Sequence, residues 1–173
     1  NNNLLTIGWT GTFSSKTYLM LVESVFKKLY KLRKYKLRII GNFDYHIDEV
    51  DFEVIQWNKE REIIDLNKID IGFYPLSMDK EWVSGKSGLK ALQYMSLGIP
   101  TIASNIGNVS SIIQNMKNGI LVNTNEEWLE AFIKLIDSPD LRKKIGMAGR
   151  ETVINDYSTD VLTKKYLKVI KSI

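Results

Sequence analysis

The stretch "GKSGLKALQYMSLGIPTIAS", Gly85 to Ser104, reads as a helix followed by a strand, and that succession decides the fold. At helical spacing Gly88, Ala91, Leu92 and Met95 fall on one side, which predicts a core-facing stripe. Gly98-Ile99-Pro100 stops the helix, and "PTIASN" (Pro100 to Asn105) follows as a buried strand. Upstream, "DIGFYPL" (Asp70 to Leu76) is another apolar run, terminated by Pro75.

The same alternation extends outward in both directions. "LLTIGWTG" (Leu4 to Gly11) predicts a first strand. Ser14-Ser15 offers an N-cap for a helix running to about Leu32, with Leu19, Val22, Val25, Phe26, Leu29 and Leu32 as its apolar face. "YKLRIIGN" (Tyr35 to Asn42) and "FEVIQW" (Phe52 to Trp57) predict strands separated by the polar loop "NFDYHIDEV". A helix from about Glu60 to Lys68 leads into Asp70 to Leu76. Beyond Asn105, "NVSSIIQN" predicts a short helix and Gly119 to Asn123 a sixth strand. The tail from Glu126 is helical in three segments, the last over about 159–172. The pattern predicts a single α/β domain over 1–173, a parallel sheet of about six strands with helices on both faces and a helical C-terminal tail. Right-handed crossovers put all the strand C-termini on one edge, where such sheets bind ligands. Three loops are then candidates: "GWTGTFSS", "WNKE" and "WVSGKSG".

Composition bounds the function classes. The 173 residues are 44% hydrophobic and 25% charged, the balance of a globular domain. With no cysteine, disulfides and thiolate metal sites are excluded. No apolar run approaches the ~18–20 residues of a membrane span. The opening "NNNLLTIGW" has no basic n-region or long apolar h-region, and it enters a strand almost at once. The expectation is a domain excised from a longer cytoplasmic protein. A net charge of +4 is too mild to argue for nucleic acid. "KKLYKLRKYKLR" (Lys27 to Arg38) holds seven basic residues in twelve. It reads as a solvated helix end or, alternatively, as a peripheral contact with the anionic inner face of a membrane.

The quoted helix is the leading candidate site. At ~100° per residue, Lys86, Lys90 and Gln93 fall within ~60° of one another. The N–H groups of Ser87, Gly88 and Leu89 at its start are free donors that favour an anion, and Gly85 and Gly88 let a phosphate approach the backbone. Gln93 can bond a hydroxyl pair of a sugar or ribose. A solvated polar face is the competing reading. In the first loop, Gly11, Thr12, Ser14, Ser15 and Lys16 offer hydroxyls, amides and a cation to phosphate oxygens, though neither G-x-G-x-x-G nor a Walker A sequence is present, and Ser14 also reads as a plain N-cap. Trp57, with Asn58 beside it, ends a strand at the ligand edge and can flank a base or simply pack. The single histidine, His46, lies in a polar loop and reads as surface; with no cysteine it makes a zinc site or a Ser-His-Asp triad a poor fit. Asp79 and Glu81 read as solubilising charges.

These stretches together resemble the group 1 (family 4) glycosyltransferases of the GT-B fold. "GLKALQYMSLGIPTIASNIG" is similar to that family's helix G-L-x-x-x-E-A/Y-M-A-x-G-x-P and the strand after it. "NGILV" resembles the next strand, "LRKKIGMAGRETVINDYS" the closing segment, and "IGWTGTFSSKTYL" a subgroup's first strand and loop. The resemblance implies a Rossmann-like, doubly wound donor-binding half, the C-terminal half of a two-domain enzyme. Its acceptor half would precede it, and the last helix would cross onto that half. It implies binding of a UDP- or GDP-sugar and transfer with retention of configuration. No metal or cofactor is needed, because basic side chains and a helix N-terminus stabilise the leaving diphosphate. Two departures stand out. The family's paired glutamates fall on Gly85 and Gln93, and Thr12 stands where an arginine is common. Lys16 lies within one residue of the usual loop lysine, and Lys90 would replace the missing arginine. A non-catalytic nucleotide-sugar-binding module, an epimerase half and a receiver-type signalling domain are the alternatives; the catalytic residues are left unassigned.

Overall fold

The computed structural model describes residues 4–77 and 85–172. Asp79, Glu81 and the Trp82 to Ser84 part of the third candidate loop lie outside the described residues.

Six parallel strands form one sheet: β1 (Thr6–Thr10), β2 (Lys36–Ile40), β3 (Phe52–Ile55), β4 (Ile71–Tyr74), β5 (Thr101–Ser104) and β6 (Ile120–Val122). Their order is β3-β2-β1-β4-β5-β6, the Rossmann-like, doubly wound arrangement. β1 pairs with β2 on one side (Ile7 opposite Leu37) and with β4 on the other (Ile7 opposite Ile71). The chain therefore winds outward from β1, returns, and winds the other way from β4.

Alternation along the strands divides the core. On one face Ile7, Trp9, Leu37, Ile39, Ile71, Phe73 and Ile102 pack under α2 (Glu23–Leu32) and α6 (Asn125–Asp137). Phe26 of α2 meets the edge of Phe73, ring centroids 5.1 Å apart, and lies 5.8 Å from Phe132 of α6. The loop between β2 and β3 covers the rest of this face. It reads as polar in the sequence, yet Tyr45, Ile47 and Val50 are buried in the same core. The opposite face carries α3 (Glu62–Leu66), α4 (Leu89–Ser96) and α5 (Val109–Ile112), over Ile40, Tyr74 and Ala103, while α7 (Pro139–Thr152) packs against both α4 and α6 and puts Ile145 into the first core. A π-helical turn, Val153–Tyr157, leads into α8 (Thr159–Ile170), in which no residue is buried.

Four local expectations are corrected. The predicted helix from Ser14 to Leu32 is broken into a 3₁₀ turn (Phe13–Ser15), α1 (Thr17–Met20) and α2. The Val22 N–H bonds the Leu19 carbonyl three residues back, which tightens the turn where the pieces join while Leu19, Val22 and Phe26 all stay buried. Ser14 caps no α-helix; its hydroxyl shares a 2.9 Å hydrogen bond with that of Thr12. Leu32, expected in the core, is exposed at the end of α2. Lys86 precedes α4 instead of sitting on it, because Gly88, the N-cap, adopts a left-handed φ of 74° and the helix begins only at Leu89.

Candidate functional site

Between β1 and β4 the winding direction reverses, so the loops leaving these strands diverge and open a crevice at their C-terminal ends. A cavity of about 520 Å³ lies there, within the range of small-molecule sites. Thr10, Gly11 and Thr12 line it from the end of β1, and Tyr74 from the end of β4. Trp57 and Glu62 come from beyond β3, Lys86 and Ser87 from the turn before α4, and Leu89, Lys90 and Gln93 from α4 itself.

Packing underneath positions the α4 wall. Gly72 of β4 has no side chain, and the Tyr94 ring fills that space; an added Cβ would lie 2.7 Å from the ring. This close approach lets the Tyr94 hydroxyl accept a 2.8 Å hydrogen bond from the Thr10 N–H, fixing α4 to the end of β1. Tyr94 is fully buried, and burial pushes its hydroxyl far above the ordinary tyrosine range, so it stays neutral. The exit of β4 is held by Ser104, whose hydroxyl accepts from the Leu76 N–H at 2.9 Å.

The start of α4 is electropositive. Its first intrahelical bond runs from the Leu92 N–H to the Gly88 carbonyl, so the N–H groups of Leu89, Lys90 and Ala91 precede the ladder, and no side chain among the described residues caps them. The Lys90 amine lies 5.7 Å from the Trp9 ring centroid and 5.5 Å from that of Tyr74. Lys86 lies 4.5 Å over Tyr18. Burial lowers the Lys90 pKa, and the Lys86 charge lowers it further; burial alone lowers that of Lys86. Among the described residues Lys90 forms no ion pair. Two cations with depressed pKa values, beside uncapped amides, make a wall complementary to an anion.

The far wall differs. The Glu62 carboxylate accepts from the Trp57 indole N–H at 2.9 Å and receives a long contact, 3.4 Å, from the Gln93 amide nitrogen. Trp57 is 41% exposed, so its ring borders the opening.

Of the residues singled out in the sequence, the fold brings Gly11, Thr12, Trp57, Lys86, Ser87, Leu89, Lys90 and Gln93 to one cavity. The others lie elsewhere. Ser14 is exposed, Ser15 is buried with its hydroxyl 3.2 Å from that of Thr12, and the Lys16 amine stands 5.8 Å over the Phe43 ring. Gly85 is an exposed turn residue, and Gly88 is buried against Ile112. Asn58 accepts the Glu60 N–H instead of facing the cavity. Thr10, Tyr74 and Glu62 were not singled out. Thr10 and Tyr74 end their strands at the ligand edge, which was a usable signal; Glu62 lies just past the loop "WNKE".

Elsewhere, the basic segment is partly paired within the chain. Lys31 pairs with Glu49 at 3.2 Å and Arg33 with Asp137 at 2.7 Å, while Lys36 and Arg38 share Glu53 at 3.2 and 2.6 Å. Four of its seven cations thus have acidic partners, which accords with the solvated-helix reading. His46 is exposed and meets Asp48 at 2.9 Å. Among the described residues no group of three or more His, Cys, Asp or Glu is placed to hold a metal, and no helix is long and apolar enough to cross a membrane.

A family model described as "Glycosyl transferases group 1" matches residues 2–152. The capsular polysaccharide biosynthesis glycosyltransferase CapM of Staphylococcus aureus is 25% identical over 168 residues, which cover 93% of this chain and 44% of CapM. A glycosyltransferase structure from Rickettsia africae superposes with a TM-score of 0.79 at 25% identity, over 99% of this chain and 48% of that one. The C-terminal domain of a group 1 family glycosyl transferase from Francisella tularensis, LpcC, superposes at 0.68 and 20% identity, over 90% of this chain and 87% of that domain. The chain thus spans less than half the length of CapM and of the Rickettsia chain, and most of the length of the isolated Francisella domain.

Proposed function

We propose, on the premise that the chain belongs to the group 1 glycosyl transferases, that its cavity holds the nucleotide diphosphate of a sugar donor and stabilises that diphosphate as it leaves. One observation carries the reading: Lys86, Lys90 and the uncapped start of α4 converge on a single crevice at the winding reversal of the sheet. Each lysine is held there against a desolvation cost, and Lys86 adds repulsion to Lys90. A diphosphate relieves both.

In transfer, the bond from the sugar's anomeric carbon to the diphosphate oxygen breaks, and its electron pair stays on the diphosphate. Fixed positive groups aimed at that oxygen lower the barrier without reorganising. Lys86, Lys90 and the amides of Leu89 to Ala91 supply them here. Gln93 faces the ribose and Trp57 borders the base. A donor stabilised in this way needs no metal, and we assign the chain to metal-independent, retaining transfer. The acceptor belongs on a second domain that closes over the sugar. On α8, Tyr166, Leu167, Val169 and Ile170 are exposed apolar residues suited to packing on that domain. One observation favours a second reading, a nucleotide-sugar-binding module without transfer: Gly85, at a family glutamate position, is an exposed turn with no side chain to offer the sugar.

Calorimetric titration with UDP and GDP in the presence of a chelator tests the first reading. At least one should bind, and Lys90→Ala should weaken it by about 1–3 kcal/mol, the scale of a charged hydrogen bond. Equal affinity in Lys86→Ala, Lys90→Ala and the unsubstituted chain would remove the lysines from the site. Binding that vanishes with the chelator would contradict metal independence.

A further inference from the structure

We propose that Glu62, reaching across from α3, is the ribose-recognising acceptor of the site and acts with Gln93 as a clamp for an unmodified vicinal diol. This deepens the diphosphate reading and rests on it.

Glu62 is the first residue of α3, yet its side chain lines the same cavity as Lys86 and Lys90 on α4 and the loop before it. One carboxylate oxygen, Oε1, receives both the Trp57 indole N–H and the Gln93 amide nitrogen, at 2.9 and 3.4 Å. These two donors orient the group. Among the described residues, Oε2 carries no hydrogen bond and Glu62 forms no ion pair. A carboxylate can only accept, so its complement is a hydroxyl or amine and never a phosphate oxygen. Gln93, with its nitrogen turned to Glu62, keeps its amide oxygen as a second acceptor beside the first.

The cavity is therefore bipolar, cationic at the start of α4 and acceptor-only at its Glu62 wall. A ligand matching both ends carries a diphosphate and, a short distance away, adjacent hydroxyls. A second phosphate at those hydroxyls would meet a carboxylate and be rejected. Gln93 is neutral and cannot supply this charge selectivity alone. The carboxylate comes from a different helix.

The test is titration of the 173-residue chain with inorganic pyrophosphate, with UDP and GDP, and with the 2′-deoxy and 3′-deoxy forms of each. The unsubstituted chain should prefer a ribose form over its deoxy counterparts by on the order of ten-fold, the worth of one charged hydrogen bond. Glu62→Ala should abolish that preference and Glu62→Gln should reduce it. Pyrophosphate affinity should be unchanged or higher in both variants, which also shows that they fold. A ribose preference that survives in both variants overturns the proposal, as does a chain that binds pyrophosphate and nucleotide with no such preference. If the unsubstituted chain binds none of these probes, the diphosphate reading itself falls, and this inference with it.

Discussion

Lys90 carries a charge into a wall made of the Trp9 and Tyr74 rings, with Lys86 as a neighbour of the same sign. Burial and that neighbour both lower its pKa, so the charged form costs stability. The sign follows from linkage: the folded pKa lies below the unfolded one, so the cost is full below the folded pKa and is relieved as pH rises through it. Lys90→Met should therefore stabilise the chain at neutral pH by about 1 kcal/mol, roughly 3 °C in Tm, with the gain shrinking toward alkaline pH in thermal melts. An anion reverses the preference by favouring the protonated amine. Nucleotide affinity should thus fall as pH rises through the depressed Lys90 pKa, earlier than for an ordinary lysine. Calorimetry in buffers of different ionisation enthalpy should record proton uptake on binding there. Lys86, Lys90 and Gln93 were readable as a site because residues of those types at a glycine-rich helix start are chemically conspicuous. Glu62 was not, because a lone glutamate early in a short helix looks the same whether it faces water or a cavity.

The role proposed for α4 depends on where it begins. Gly88 at φ 74° turns the chain so that α4 starts at Leu89, where Leu89 and Lys90 line the cavity, and Gly88 itself is buried against Ile112. Gly88→Ala places a Cβ 2.6 Å from the Ile112 Cδ1 in a conformation that side chains resist, at a cost of about 1–2 kcal/mol. The far end of Ile112 can shift, so the fold should survive in circular dichroism, while pyrophosphate affinity measured by calorimetry should drop on the order of ten-fold. On the opposite face, Phe132 is fully buried against Phe26 and Phe73, and Phe132→Ala should cost about 3–5 kcal/mol in denaturant melts. The elements themselves were mostly legible, since strand and helix periods differ. The join at Leu21 and Val22 was not, because the apolar spacing runs through it without interruption and only the three-residue hydrogen bond marks it. The β2–β3 loop misled for the opposite reason: its charges hide Tyr45, Ile47 and Val50, which take the place of a helix on that face.

At the scale of the whole molecule, the reading proposed above makes the described chain one wall of a two-domain site. The cavity opens at the sheet's edge, and α8 presents Tyr166 and Ile170, both more than 60% exposed, with no buried residue of its own. We expect the 173-residue chain to bind a nucleotide diphosphate yet transfer no labelled sugar to any acceptor. Steady turnover by this chain alone would overturn the two-domain reading. By itself the sequence determined the α/β class, the number of strands, the two-sided layering and the lysine-bearing helix, because periodicity, glycine and proline are local properties written in consecutive residues. The tertiary structure alone decided which residues meet. It set Tyr94 over Gly72 to bond Thr10, brought Glu62 to Gln93 from 31 positions away, and turned Lys16 aside onto Phe43. Contacts across a sheet follow from strand order and from the space left by neighbouring side chains, and neither is encoded in any single stretch of the chain.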